Sequence, residues 1–334
     1  MPHHPPNAIG VGQRKAVALL KRFPDMPNLT AAKRLVKLYP ATFTSIDQAR
    51  SVVRWARGAA GPESRKNKTG VKRPLGWQQA LPKSKIKHLA AAVVNKPGKV
   101  LILSDIHLPY HDAVAVEAAL KYGEKIEPHT IILNGDTMDF YGISRYQTDP
   151  DKRDLKGEIQ TGREFLVHLR ERFPEARIMF KWGNHEDRWA AYIANHAADL
   201  ADLDFAQLSS VLKFKESGIE EVASRQFIKV GRLLVVHGHE LPKGIATPVC
   251  AAKRLFDRIR QSSVAGHWHQ ISEFTDASGY DKRVVSCWTV GTLGDLAPDY
   301  APLNNWSCGF GVVEVQERGE FKFENHRIIK GVVY

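Results

Sequence analysis

Five short polar segments, each beginning where an apolar run ends, constrain this chain more than any other feature. They are Leu103-Ser104-Asp105-Ile106-His107, Asn134-Gly135-Asp136-Thr137-Met138-Asp139, Gly183-Asn184-His185-Glu186, Val236-His237-Gly238-His239 and Ala265-Gly266-His267-Trp268-His269. The runs that lead into them (Val100–Leu103, Thr130–Leu133, Arg177–Lys181, Leu233–Val236 and Val264–Ala265) read as short buried strands. Carboxylates, imidazoles and one amide at strand ends are the donors that a pair of hard-to-borderline divalent ions requires. A glycine beside four of the segments lets the backbone turn tightly next to such a site.

Helical patterns alternate with these strands. Asp112–Lys125, a long stretch from about Glu158 to Phe173, and Pro248–Gln261 read as helices. Gln226–Val230 pairs with Leu233–Val236 around Gly231-Arg232, and Val284–Val290, Gly311–Val315 and Phe321–Glu324 complete the strands. Strands feeding helices early and strand-rich pairs later predict an α/β fold, a two-sheet β-sandwich flanked by helices.

The order Asp-x-His, Gly-Asp-x-x-Asp, Gly-Asn-His-Glu, His, Gly-His-x-His resembles the calcineurin-like metallophosphoesterase family. All five blocks stand in order, at Asp105, Asp136, Asn184, His237 and His267, and the resemblance covers roughly residues 99–330. It implies two divalent metal ions, manganese first, with iron or zinc also suited to the donors. Asp105, His107 and His269 would hold one ion, Asn184, His237 and His267 the other, and Asp136 would bridge them. A water shared by ions roughly 3.5–4 Å apart would lose its proton near neutral pH and attack phosphorus in line. His185 would stand unligated over the site as acid or stabiliser of the leaving oxygen. Asp139 resembles the family carboxylate that orients His185 and favours its imidazolium.

Other residues near the blocks carry weaker signals. Arg188 is placed to meet a phosphate or to pair with Asp187 or Glu186. Arg145 and Tyr146 follow the Asp139 loop, and His111 follows the first block closely enough to reach a substrate cleft. His239 is expected in a structural hydrogen bond and Trp268 in core packing. The aromatics from Tyr300 to Trp306 would line a substrate wall or pack their own loop. The chain has no Cys-x-x-Cys, phosphate-cradling loop, dinucleotide fingerprint or serine elbow. Trp189 stands where a zinc protease would have its second histidine.

Charge divides the chain. Residues 1–100 hold 20 Lys and Arg against 3 Asp and Glu, or +17, whereas residues 101–334 hold 28 against 33, or −5; together they make the net +12. Such asymmetry points to a phosphate-rich partner. Within the basic head, Gln13–Phe23, Thr30–Tyr39 and a helix opened by the Ser45-Ile46-Asp47-Gln48 capping box and closed by Gly58 predict a small all-α module. Arg50, Arg54 and Arg57 would line one edge of its last helix, as in a helix-turn-helix contacting nucleic acid. The expected division is 1–58 for this module, 59–98 for a basic linker (aperiodic over 59–75) and a helical lead-in from Trp77 to Val94, and 99–334 for the metallophosphoesterase domain.

Three scattered cysteines fit a reducing compartment, and the start of the chain lacks a secretory layout, so cytoplasmic location is expected, in a host cell if a phage encodes the protein. No apolar run approaches the roughly 20 residues of a membrane span. Phosphoprotein phosphatases of the resembled family extend the second block to Gly-Asp-x-x-Asp-Arg-Gly, but here Asp139 is followed by Phe140 and Tyr141. The missing arginine and the basic head together favour a nuclease, a phosphodiesterase acting on nucleic acid with DNA ahead of RNA. The alternative is a phosphatase or phosphodiesterase for phosphoproteins or small nucleotides, its basic N-terminus serving only to target DNA.

Overall fold

The computed structural model describes residues 10–66, 84–86, 88–146, 148–242 and 249–334. The chain divides into two units, residues 1–87 and 88–334.

In the first unit, α1 (Val11–Arg22), α2 (Asn28–Leu38) and α3 (Ile46–Ala56) enclose a core of Ala16, Leu20, Ala31, Leu35, Phe43, Ala49 and Val53. Apolar residues recur three and four apart on each helix, so each buries one stripe. The Ser45 hydroxyl accepts the Gln48 amide at 3.2 Å, while the Gln48 side chain reaches past Ser45 to accept from Thr44 N at 2.9 Å. Gly58, at φ +71°, ends the helix as expected.

Three expectations for this region are corrected. Arg57 is not part of an open arginine edge. Its guanidinium donates to Asn28 Oδ1 at 2.7 Å and to the carbonyls of Pro24 and Met26, clipping α3 to the start of α2. Arg50 and Arg54 remain exposed. The connection between α2 and α3 spans residues 39–45, longer than the 3–4-residue turn of a helix-turn-helix. The linker expected to be aperiodic contains a short helix, α4 (Pro62–Lys66), and residues 67–83 lie outside the described ones.

The second unit begins earlier than residue 99. β1 (Ala92–Val94) occupies part of the expected helical lead-in and pairs in parallel with β6 (Ile228–Val230), while the lead-in from Trp77 through residue 83 lies outside the described residues. β2 (Gly98–Leu103), β3 (Thr130–Asn134), β4 (Arg177–Lys181) and β5 (Ile219–Val222) run parallel, and β11 (Gly309–Val315), β12 (Phe321–Ile329) and β13 (Val332–Val333) continue the sheet antiparallel, in the order β13-β12-β11-β2-β3-β4-β5. The other sheet runs β1-β6-β7-β8-β10-β9, with β7 (Leu233–Val235), β8 (Ser263–Ala265), β9 (Ser272–Ala277) and β10 (Val284–Thr289).

The period of two along β2 explains the layering. Val100 and Ile102 join Ile132, Met179, Val235, Val264 and Val313 in one core between the sheets, whereas Leu101 and Leu103 face the opposite side. There they meet α5 (Ala113–Ile126), capped by Asp112 Oδ1, and α6 (Leu155–Arg172), capped by Asp154. The second sheet covers its outer face with Ala252, Leu255 and Phe256 of α9 (Ala251–Ile259). The intervening α7 (Glu186–His196) and α8 (Leu208–Val211) complete the helices described. The sandwich flanked by helices is thus the observed architecture. Among the described residues no helix is long and apolar enough to cross a membrane.

Candidate metal centre

β2, β3, β4, β7 and β8 each end at one of the five polar segments, so the sheets deliver their carboxyl ends to a shared rim. The turns that follow are strained. Asp105 and His107 at φ +55°, Asp136 at +49°, His267 at +65° and His269 at +57° all occupy the left-handed region. Each such non-glycine residue costs on the order of 1–3 kcal/mol and persists only where the surrounding structure imposes it. Gly135, at φ +86°, and Gly183 admit the close approach: a Cβ on Gly135 would lie 2.5 Å from His237 Nδ1, and one on Gly183 would strike the Asp136 carboxylate.

Two donor clusters result. Asp105, His107 and His269 present ligand atoms within 4.8 Å of one another, and so do Asp136, His237 and His267. Asn184 joins the second, its Oδ1 lying 3.3 Å from His237 Nε2. His107 Nε2 and His269 Nε2 face each other at 3.2 Å, and His269 Nε2 lies 3.2 Å from Asp105 Oδ1. Two of the imidazoles are oriented from behind. His237 Nδ1 donates to the Asn134 carbonyl at 2.8 Å, leaving Nε2 toward Asp136 Oδ2 at 3.2 Å. His107 Nδ1 donates to Asp139 Oδ2 at 3.1 Å. Such outer partners fix ring orientation and raise ligand basicity. A third grouping, His107 with Asp139 and His185, shares His107 but uses the carboxylate that orients it.

The electrostatics call for positive charge. Burial alone would push Asp105 up, yet the His237 charge and the His269 contact hold it at about 2. Burial likewise opposes ionisation of Asp136, and the charge and hydrogen bond of His237 keep it well below the ordinary carboxylate range. Against its own burial, His237 is carried up to about 10 by Asp136 and Asp105. Asp136 also helps raise His107, so one carboxylate acts on both clusters. Protons on these imidazoles sit where cations would sit, and the buried His269 Nδ1 has no hydrogen-bond partner. Mixed carboxylate, imidazole and amide donors with oriented rings fit two divalent ions.

His185 departs from expectation. The Asp139 carboxylate binds His107 and lies 3.5 Å from His185 Nδ1, whose nearer partner is the Asp139 carbonyl, accepting at 2.8 Å. Arg188 Nη2, which can only donate, lies 2.9 Å from His185 Nε2, so that nitrogen accepts and the ring is neutral. Burial pushes its pKa down to about 4 despite Asp136, so the expected imidazolium is not favoured here. Arg188 pairs not with Asp187 or Glu186 but with Asp139, donating to its carbonyl at 2.9 Å.

The remaining candidates separate. Arg188, His107, Asp139, His185 and His269 line a cavity of 540 Å³ together with Tyr110, Tyr141, Tyr300 and Trp306. Arg145 instead lines a neighbouring cavity of 590 Å³ with Arg153, Arg188 and Asn184. His111 lines neither, and its Nδ1 lies 3.2 Å from the Pro109 carbonyl. His239 lies 2.8 Å from Ser224 Oγ, and Trp268 packs in the core beside α9.

Sequence reading missed the braces. Glu186, quoted within the third block, is fully buried and accepts from the amides of Asp136 at 2.9 Å, Met138 at 3.0 Å and Gly183 at 2.7 Å, tying two ligand loops together. Glu240 accepts from Gly238 N at 2.7 Å and pairs with buried Lys181 at 2.9 Å. A lysine directly after the apolar Ile178-Met179-Phe180 was the available signal for that pair. Thr292 Oγ1 donates to the Asp105 carbonyl at 2.7 Å, and nothing in the local sequence announces it.

The sequence profile of the calcineurin-like phosphoesterases matches residues 98–288, more than half of the chain. The chain belongs to that family. It is accordingly a metal-dependent phosphoesterase, a hydrolase whose family uses a dinuclear metal centre, and the two donor clusters lie inside or at the edge of its family domain. Its relatives include the Gene 54 protein of Mycobacterium phage L5, 25% identical over 231 residues, which are 65% of this chain and 89% of the relative. The Gene 54 protein of Mycobacterium phage D29 is 24% identical over 232 residues, again 65% of this chain and 89% of the relative. Among solved structures, a single mutant of Vps29 from Entamoeba histolytica is 15% identical, with 71% of this chain and 96% of that one covered and a TM-score of 0.36. A dimetal phosphatase from Danio rerio is 11% identical, with 68% and 99% covered and a TM-score of 0.35.

Proposed function

We propose that this phosphoesterase is a nuclease, a phosphodiesterase that hydrolyses nucleic acid, DNA ahead of RNA. The observation that carries the reading is the charge division: the first 100 residues hold 20 Lys and Arg against 3 Asp and Glu, a strongly basic head on an acidic catalytic body. A tethered basic module raises the local concentration of a long polyanion at the site. Arg50 and Arg54, exposed on α3, are its proposed nucleic-acid contacts. The phosphoprotein alternative loses support at Phe140, which is fully buried and packs on Trp189 at 5.9 Å where that branch has a phosphate-gripping arginine.

Asp105, His107 and His269 would hold one ion and Asn184, His237 and His267 the other, with Asp136 shared; manganese is the metal we favour, and iron or zinc suits the same donors. The bound ions would supply Lewis acidity toward phosphate oxygens and a lowered pKa for water. Among the chain's own groups, Arg188 brings fixed positive charge toward the phosphate. His185 holds that guanidinium through Nε2, its own ring set by the Asp139 carbonyl. The phage relatives make a phage-encoded enzyme of the host cytoplasm the setting we favour.

The test is a panel with manganese: single- and double-stranded DNA, RNA, an aryl phosphodiester and phosphopeptides. Hydrolysis of DNA is expected, and Arg50→Gln with Arg54→Gln should slow it while sparing the aryl diester. An enzyme that cuts no nucleic acid but dephosphorylates peptides or small nucleotides would overturn the proposal.

A further inference from the structure

The two cavities beside the metal centre differ in character. The 540 Å³ cavity, on the His107 and His269 side, is walled by aromatics: Tyr110 lies edge-on to Tyr141 at 5.9 Å, and Tyr300 lies 6.1 Å from Trp306. Tyr300 is 69% exposed, so much of it stays open to solvent beside Trp306. The 590 Å³ cavity, on the Asn184 side, instead gathers Arg145, Arg153 and Arg188. Arg188, Ser144 and Tyr146 border both, so the cavities adjoin at the guanidinium that rests on His185.

Aromatic faces exposed to water beside a phosphoesterase centre suit a flat apolar ligand group, and guanidinium groups suit phosphates. A polynucleotide offers both at regular spacing, but only an unpaired strand can turn a base out of its stack. We propose that the paired cavities are a track for a single strand. The aromatic cavity seats one unstacked base next to the scissile phosphate, and the arginine cavity grips neighbouring phosphates. This rests on the nucleic-acid reading and narrows it to unpaired substrate. A small nucleotide would need the aromatic cavity alone and would leave the arginine cavity without a role.

The test uses the full chain in EDTA, with anisotropy of a labelled thymidine 12-mer and of a 12-mer in which abasic spacers replace every base. Both carry the same phosphates, so the basic head attracts them alike and their difference reports base contact. Stacking of ~1–3 kcal/mol per base corresponds to roughly 5–150-fold tighter binding of the thymidine strand. Tyr110→Leu with Tyr300→Leu should abolish that preference, and Tyr300→Phe with Tyr110→Phe should restore it. Arg145→Gln with Arg153→Gln should weaken both strands by the same factor. Equal binding of the two strands, or a preference that survives the leucine pair, overturns the track.

Cleavage separates this inference from the reading beneath it. A variant-sensitive base preference in an enzyme that hydrolyses no nucleic acid upholds the track as a binding site and defeats the nuclease reading. DNA hydrolysis with no base preference does the reverse.

Discussion

His107 Nδ1 lies 3.1 Å from Asp139 Oδ2, so the second aspartate of the Gly-Asp-x-x-Asp block supports a metal ligand of the first block, while its carbonyl also holds the histidine of the third. The two residues are far apart in sequence and meet because β2 and β3 are parallel neighbours whose ends turn toward each other. An outer carboxylate of this kind keeps the ring's far nitrogen aimed at the cation.

Asp139→Ala should therefore weaken metal binding by about 10–100-fold. Calorimetric titration of the metal-free protein with manganese measures it directly. An unchanged affinity would show that His107 is held by packing alone.

His185→Ala should behave differently, because His185 belongs to neither the Asp105, His107 and His269 cluster nor the Asp136, His237 and His267 cluster. Turnover should fall by roughly 10²–10³-fold as Arg188 loses its anchor, while the metal content of the manganese-loaded protein stays unchanged. Loss of the metals along with activity would place His185 among the ligands.

Glu186→Gln should unfold the rim. The carboxylate accepts three backbone N–H groups, and an amide can offer only one oxygen to them while turning its own N–H₂ toward donors. A buried unsatisfied group costs about 1–3 kcal/mol, read as a lowered urea midpoint in the metal-free protein.

The Glu240 carboxyl predicts an acid-sensitive term. Burial opposes its charge, but Lys181 and the neighbouring His239 and His237 hold its pKa at about 2. Its folded pKa is below the ordinary value of ~4.3, so its contribution is complete above that value and is lost as pH falls toward 2. Denaturant midpoints measured from pH 6 to pH 3 should fall more steeply in the parent than in Glu240→Gln. Parallel curves would refute the assignment.

The glycine turns give a last expectation. Gly135→Ala adds a Cβ 2.5 Å from His237 Nδ1 at a φ of +86°, so both the ring and the turn must move. We expect a loss of stability of about 1–3 kcal/mol and a lower metal content after loading with manganese, read by metal analysis.

Much of this protein was legible in its sequence because the relevant signals are local. Alternating apolar runs marked β2, β3, β4 and β7, and a polar block directly after each gave the donor types and their order. The short three-residue strand β1 and the exposed edge strand β9 escaped, since neither buries enough of one face to leave a pattern. The charge division between head and body was likewise a matter of counting.

Pairings made across sheets were different. Asp139 proved to serve His107 as well as His185, and Arg57 to clip its own helix bundle. Glu186 and the Lys181–Glu240 pair surfaced as braces behind the ligands. A residue's type and its place on a strand determine what chemistry it carries and which way it leaves the backbone. Which partner it meets depends on strand order, register and the close turns at the rim. Those follow from how two sheets and their helices exclude water together, and only the assembled fold decides them.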